Sequence, residues 1–516
     1  MNQNKHLDAA WQYHTGTKHS QLSVRTSPHF LDWENKPLLF KIYPTLEVLR
    51  LPRDFRETGR AALDAIATPG QPASAEAVPD LETLAQLLFF SAGVVRSKRQ
   101  EQMEIFFRAA ACTGALYEIE LYVVCTDLPG SKDSAGLAAG VYHFGVAEFG
   151  LRQLRAGDFR QTLVEATGGD PSIAHAPVTI ICTGTYWRNA WKYRSRTYRH
   201  FGWDNGTILA NLLAISEGSR LPARVVTGFV DSQINELLSL DTKREVAFSL
   251  VSIGHLHATP PSSPKIPPLN LPIVPYSKEE VDYPAMRRMH EACSLDSASE
   301  VTAERGKSPS SEAPAPQGTV ASLQLPNGPI PDDSIEKVIS RRGSTRQFSR
   351  ESITLPQLSL ILDRATRGIP SDFLDSSGSH LNDLYLIVNN VDGLAAGAYF
   401  YHWKTKALEL LKPGDFRDKA GFLGLEQQLP ADAAVDVFFL ADLKKILERY
   451  GNRGYRAAQL EAGILGGKLY LAAYAQHLGA SGLTFYDDDV VSFFSPHAKG
   501  KSAIFLVALG RSALRK

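Results

Sequence analysis

Cysteine is scarce: the 516 residues hold four, Cys112, Cys125, Cys182 and Cys293, with no C-x-x-C pair among them. That scatter argues against a disulfide framework or a structural zinc site and fits a reducing compartment. Neither sign of charge is in excess, Lys+Arg and Asp+Glu both being 55, so no overall field draws the chain to nucleic acid or an anionic membrane. Apolar runs such as Val435 to Leu440 and Ala503 to Leu509 fall far short of the ~20 residues that span a bilayer. The opening MNQNKHLDAAWQYH lacks the charged-then-apolar order of a secretory signal. The phosphate-binding patterns G-x-G-x-x-G and G-x-x-x-x-G-K-[ST] are missing. So is H-E-x-x-H, and His255 and His257 have no third metal ligand nearby, so no metal is expected. What remains is a soluble, cytoplasmic protein long enough for two or three domains.

A repeat is present. Gly136-Leu-Ala-Ala-Gly-Val-Tyr142 returns as Gly393-Leu-Ala-Ala-Gly-Ala-Tyr399, a shift of 257. The same shift carries Gly157-Asp158-Phe159-Arg160 onto Gly414-Asp415-Phe416-Arg417, and Tyr193, Arg196, Tyr198 and Arg199 onto Tyr450, Arg453, Tyr455 and Arg456. Gly206 meets Gly463, and Asp231 meets Asp488. One register held over so long a stretch marks a tandem duplication. The copies are expected at 61–258 and 331–516, after an N-terminal arm at 1–60 and around a linker at 259–330. The linker is rich in Pro and Ser and reads as extended or flexible, with one short helix in YSKEEVDYPAMRRMHEAC.

Within the second copy, helices are expected from Ile335 and from about Thr354 to Gly368, with Pro356 in the first turn, where its missing N–H costs nothing. Strands are expected at Leu384–Val388, Ala398–Tyr401, Val435–Leu440 and Ile504–Leu509, and a long helix at Tyr455–Leu478. Helices and strands mix without regular βαβ alternation, so the class is α+β.

Between the first two helices of that copy lies Arg341-Arg342-Gly343-Ser344-Thr345-Arg346-Gln347-Phe348. If extended, it puts Arg342, Ser344 and Arg346 on one side. Two guanidiniums and a hydroxyl suit a phosphate, although alone such a stretch also reads as a solvated basic turn.

Four motifs together resemble the FMN-dependent nitroreductase family, in its tandem-domain branch of SagB-type dehydrogenases and thiazoline/oxazoline oxidases. They are RRGSTRQF, the turn Thr113-Gly114-Ala115-Leu116-Tyr117, the helix entries WKYRSRTYRH (191–200) and RYGNRGYR (449–456), and GASGLTFYDDD (479–489). The resemblance implies two nitroreductase-like domains folded as an intramolecular pseudo-dimer, alone or further dimerised, with FMN held between them. The second copy would grip the flavin through Arg342, Ser344, Arg346, Ser481, Gly482, Leu483, Thr484 and Arg511, and the first would cover it with Thr113, Gly114, Ala115 and Leu116. One cleft is expected to work. The first copy has no R-x-S-x-R ahead of its helix at Leu81–Ser91, and in the second copy Gly378-Ser-His-Leu-Asn-Asp383 replaces the Gly-Ala-Leu-Tyr turn. Lys18, His19, Ser20 and Arg25 are the candidates for a substitute grip in the other cleft.

In that family flavin N5 exchanges a hydride with the substrate, and an oxidation that forms a double bond also releases a proton, which needs a base within hydrogen-bond reach. The resemblance assigns this to Tyr193, with Lys192 placed to lower its pKa. The substrate would be a small molecule or a peptide-derived azoline oxidised to an azole, with NAD(P)H or oxygen as redox partner. A broad NAD(P)H-dependent nitro or quinone reductase, and a flavin-less scaffold or partner-binding subunit, are the alternatives. Cys112 reads as packing, and Asp487–Asp489, which could bind a cation, reads rather as a helix start favoured by its dipole.

Overall fold

The computed structural model describes residues 3–68, 75–100, 103–130, 135–305, 315–375 and 379–513. They build the same sheet twice. The first runs, in spatial order, Leu49–Arg50, Gly150–Ala156, Gly140–Gly145, Ile119–Cys125, Val178–Thr185, Glu245–Ile253 and Ala223–Val226. The second runs Val320–Ser322, Ala407–Pro413, Gly397–His402, Asn382–Val388, Val435–Ala441, Ser502–Gly510 and Gly479–Leu483. Strand for strand the order matches, and neighbouring strands are antiparallel throughout both sheets. The fold is a tandem α+β one, as the repeat requires. Val435–Ala441 is apolar along most of its length because it lies inside the sheet with every residue buried.

The expected helices form where local chemistry starts them. Leu355–Ala365 opens on a capping box, Thr354 with Gln357, and carries Pro356 in its first turn. Leu81–Ala92 is capped by the Asp80 carboxylate, which accepts from Thr83 N at 2.8 Å.

The halves meet through their long helices, Thr197–Gly218 and Arg453–Ala475. They cross at glycines so closely that a Cβ on Gly206 would lie 2.4 Å from the Gly463 carbonyl carbon, and one on Gly463 2.5 Å from the Gly202 oxygen. No other residue fits there.

Each half also holds the other's arginines. Asp487, the first residue of helix Asp487–Phe494, accepts from Arg196 (3.0 Å) and Arg199 (2.6 Å). Asp231, the first residue of helix Asp231–Leu238, accepts from Arg453 (2.6 Å) and Arg456 (3.2 Å). All six side chains are buried. The guanidinium pair beside each carboxyl holds its pKa below the ordinary range against the opposing effect of burial. The partner of Asp231 is therefore Asp487, one residue off the 257 register.

The segments ahead of the two copies occupy matching places. Helix Asp8–Gly16 lies against the first arginine pair, its His14 carbonyl accepting from Arg199 at 2.6 Å. Helix Pro284–Cys293 lies against the second, with Arg456 donating to His290 Nδ1 at 3.3 Å. The proline-rich stretch 259–275 has no helix or strand, yet Ile266, Leu269 and Leu271 pack on the first half. Most of SPSSEAPAPQG and Gly378 fall outside the described residues. Among those described, no helix is long and apolar enough to cross a membrane.

Candidate functional site

The motif residues come from both halves to one cleft. Its floor on the second half is the edge strand Gly479–Leu483. Thr345 of the basic turn donates its backbone N–H to the Ala480 carbonyl at 2.9 Å, which seats the turn on that strand. The other wall is the first half's turn at Thr113–Ala115. There Gly114, Ala115 and Tyr117 all have φ near +50 to +70°, a left-handed course that only the glycine adopts without strain. A Cβ on Gly114 would stand 2.9 Å from the Tyr193 hydroxyl, so phenol and turn are in contact. Tyr193 packs edge-on against His200 (4.7 Å), His200 against Trp203 (4.8 Å), and Trp203 against Phe505 of the second half (5.0 Å).

The cationic residues do not all do what their spacing suggests. Arg342 is buried and donates to the carbonyls of Ala109 and Arg108 across the halves, both at 2.9 Å. Where the sequence suggested a phosphate fork, two of its N–H groups clasp the other half's backbone. Arg511 donates Nε to the Ser352 carbonyl at 2.9 Å, and Ser344 shares a hydrogen bond with the Tyr470 hydroxyl at 3.3 Å. Arg346 is exposed and has no carboxylate partner among the described residues. The same holds for Lys192, whose pKa is lowered by desolvation first and then by the charges of Arg346 and Lys36. Three cations from arm, first half and second half thus share one field, which suits an anion. Lys36 carried no motif that could have singled it out.

The Lys192 ammonium stands 5.3 Å over the Tyr193 ring. Burial, then the carboxyls and thiol of Asp204, Cys112 and Glu118, push the Tyr193 pKa up, with Arg346 acting the other way. The expected depression by Lys192 is therefore not what these surroundings produce. Tyr193 is a neutral phenol.

The acidic group beneath it was not legible from any motif. Asp204, on the long helix, accepts from Thr113 N (2.9 Å), Thr113 Oγ1 (2.8 Å) and the Cys112 thiol (3.2 Å). Burial and the neighbouring Asp204 raise Glu118 well above the carboxylate range. Burial and both carboxyls keep the Cys112 thiol protonated. These are a turn's braces. The repeat holds the clue: at the same shift stands Glu461, which accepts from the backbone N–H groups of Leu381 and Asn382 at 2.9 and 2.8 Å. Each long helix uses one acid to fix the turn ahead of a central strand.

The other cleft is filled by the chain itself. Pro370 and Asp372 add to the edge strand Ala223–Val226: Val225 N donates to the Pro370 carbonyl (2.9 Å) and Asp372 N to the Val225 carbonyl (3.0 Å). The Asp372 carboxylate then takes Thr227 N (2.9 Å), Thr227 Oγ1 (3.1 Å) and Gly228 N (2.7 Å). Tyr450, the repeat of Tyr193, donates to the Phe373 carbonyl at 2.7 Å. Leu295 and Val301 close the space from the linker side against Val230. The residues considered as a substitute grip there are engaged elsewhere, Lys18 with Asp488 (2.6 Å) and Arg25 with Glu426 (3.0 Å).

Moved by 257, Thr227 and Gly228 become Thr484 and Phe485. Thr484 Oγ1 is buried without a hydrogen-bond partner, whereas its counterpart Thr227 Oγ1 has Asp372. A group carrying acceptor oxygens or nitrogens at this strand end would satisfy it, and a flavin ring is such a group. The residues present fit FMN.

These features define a nitroreductase-like fold, doubled within one chain. Residues 339–511, in the second half, match the model of the Nitroreductase family. Along nearly its whole length the chain is similar to the crystal structure of a "putative nitroreductase" from Anabaena variabilis: 26% identity, TM-score 0.75, covering 98% of this chain and 99% of that one. A "putative nitroreductase" of Methanocaldococcus jannaschii is 25% identical over 182 residues, 34% of this chain and 89% of that protein.

Proposed function

We propose that the protein is an FMN-dependent oxidoreductase with one flavin cleft per chain, gripped by the second half and covered by the first. The observation that carries this reading is the contrast between the clefts. One set of strand-end donors is taken by Asp372, while in the equivalent set the Thr484 hydroxyl is buried and unpartnered. Ser481, Gly482, Leu483 and Thr484 would lie along the ring, Thr113 to Leu116 would cover it, and Arg346 with Lys192 and Lys36 would meet the phosphate. Arg342 and Arg511 would act by holding the turn and the halves in place.

Bound flavin supplies a centre that takes or gives a hydride. The chain's part is to position the substrate and to handle the proton. Tyr193 carries a proton that a substrate receiving a hydride could take, the role that reduction of a nitro or quinone compound by NAD(P)H would give it. Because burial makes this phenol a weak acid, negative charge developing on the substrate would have to draw the proton off. Oxidation of an azoline, the SagB-type reaction, asks Tyr193 to act as base. For that the charges of Arg346 and Lys192 would have to outweigh burial and the Asp204 group.

The test is the visible spectrum of the purified protein, with flavin released and quantified against chain. The expected result is one FMN per chain, with Arg346→Ala and Thr484→Val each weakening retention about tenfold, the effect of losing ~1.4 kcal/mol. Two per chain would contradict the filled cleft. None after soaking in excess FMN would overturn the reading. Turnover of a quinone with NADPH that falls in Tyr193→Phe then separates the reductive from the oxidative direction.

A further inference from the structure

On the first half, beside the filled cleft, a cavity of about 670 Å³ opens between helix Asp231–Leu238, helix Pro284–Cys293 and the stretch around Ile266 and Leu269. That is the size of small-molecule sites, commonly ~300–1,000 Å³. Among its lining residues are Tyr186 and His290, which are 5% and 4% exposed. The Tyr186 hydroxyl and His290 Nε2 are both buried without a hydrogen-bond partner. A buried polar atom without a partner forfeits a hydrogen bond that a ligand can restore.

Their chemistry is defined. Arg456, which can only donate, gives a hydrogen bond to His290 Nδ1 at 3.3 Å. Burial and Arg456 keep the ring neutral, so its one proton sits on Nε2. The nearest carboxylate oxygen, Asp231 Oδ1, is 3.7 Å from Nε2, too far for a hydrogen bond. Asp231 is itself balanced by Arg453 and Arg456. Burial also holds the Tyr186 phenol neutral. The buried lining residues thus carry two uncharged donors without partners, and Leu240, Val246 and Leu269 give apolar walls.

The mouth differs. Glu236, Glu291 and Asp296 line it and are exposed. The one cation among the lining residues, Arg287, is clasped by Asp282 at 2.6 and 3.1 Å. A ligand therefore meets neutral donors inside and negative charge outside.

We propose that this cavity is a second ligand site, for an organic molecule with a neutral carbonyl or amide at its buried end, an apolar body, and an ammonium at the mouth. Short peptides and amino amides have this chemistry. A carboxylate at the mouth is disfavoured by like charge, and a charged buried end by desolvation. The inference does not depend on the flavin reading.

The test is calorimetric titration of the protein, in the state in which it purifies, with two probes of one shape, 4-(aminomethyl)benzamide and 4-carbamoylbenzoate. The first is expected to bind and the second at least about tenfold more weakly, a difference of ~1.4 kcal/mol. Tyr186→Phe, which keeps the ring stacked on Phe201, is expected to weaken the first probe about tenfold as its hydrogen bond goes. Glu291→Lys, at an exposed position, is expected to narrow the gap between the probes. An unchanged far-ultraviolet circular dichroism spectrum and melting temperature show that each variant is folded. No binding of the amine at ~10 mM, where a ligand contributes under ~3 kcal/mol, overturns the proposal. So does equal affinity for both probes, or unchanged affinity in Tyr186→Phe.

Discussion

Replacing Gly206 by alanine sets two elementary effects against each other, and the structure says which one wins. In an exposed helix interior the change stabilises by about 1 kcal/mol, because glycine has the greater backbone entropy to lose. At Gly206 the new methyl carbon would lie 2.4 Å from the Gly463 carbonyl carbon and 2.4 Å from Ile464 N. Ordinary contact begins near 3.4 Å, so the long helices must part by about 1 Å, and both obstacles are backbone that no rotamer change can move. Overpacking of this kind costs ~1–3 kcal/mol or more, and the upper end applies where two buried helices separate. The expected net effect is a loss of ~2 kcal/mol. Urea unfolding followed by tryptophan fluorescence reads it directly, since Trp203 in the crossing donates its indole N–H to Gln459 at 2.7 Å. Gly16→Ala is the control: it ends helix Asp8–Gly16 with nothing within 4 Å of the added carbon, and a small gain is expected. If Gly206→Ala matches or exceeds wild-type stability, the close crossing is wrong.

Asp487→Asn leaves Arg196 and Arg199 buried without a counter-charge, and a loss of ~3–5 kcal/mol is expected from denaturation midpoints. Asp231→Asn is expected to cost a similar amount, because Arg453 and Arg456 depend on it in the same way. Lys468 is buried, donates to the Gly368 carbonyl at 2.6 Å, and has its pKa pushed down to about 7 from 10.5 by desolvation. Between those values the unfolded chain carries a proton that the folded chain lacks, so this site makes stability rise with pH from about 7 to 10.5 and adds no slope below. Lys468→Met is expected to flatten that rise, with its largest gain at pH 7 or below, up to the order of 5 kcal/mol; an unchanged slope between pH 7 and 9.5 would count against it.

The architecture was readable because one shift carried motif after motif onto its copy, and periodic apolar runs such as Val435–Leu440 made the strands plain. The cross-half braces escaped because they join residues hundreds of positions apart. RRGSTRQF shows an arginine pair but not that Arg342 turns to the Arg108 and Ala109 carbonyls. The 370–373 segment has no motif, and its role rests on lying beside Ala223–Val226, a pairing no local pattern encodes. Asp231 and Asp487 lie one residue out of register, so alignment alone chose Asp488. Tyr193 was found by its place in a motif, whereas its protonation depends on burial first and then on Asp204, Cys112 and Glu118, all brought about only by folding.

The filled cleft has a consequence for how such a molecule can change. In a dimer of identical chains every substitution appears at both sites, so a segment that closes one pocket closes its twin. Joining the copies in one polypeptide removes that constraint. Asp372 can block one pocket while the other stays intact, and each side can then accumulate changes that would be lethal in duplicate. The protein has the geometry of a pair and the freedom of two separate genes.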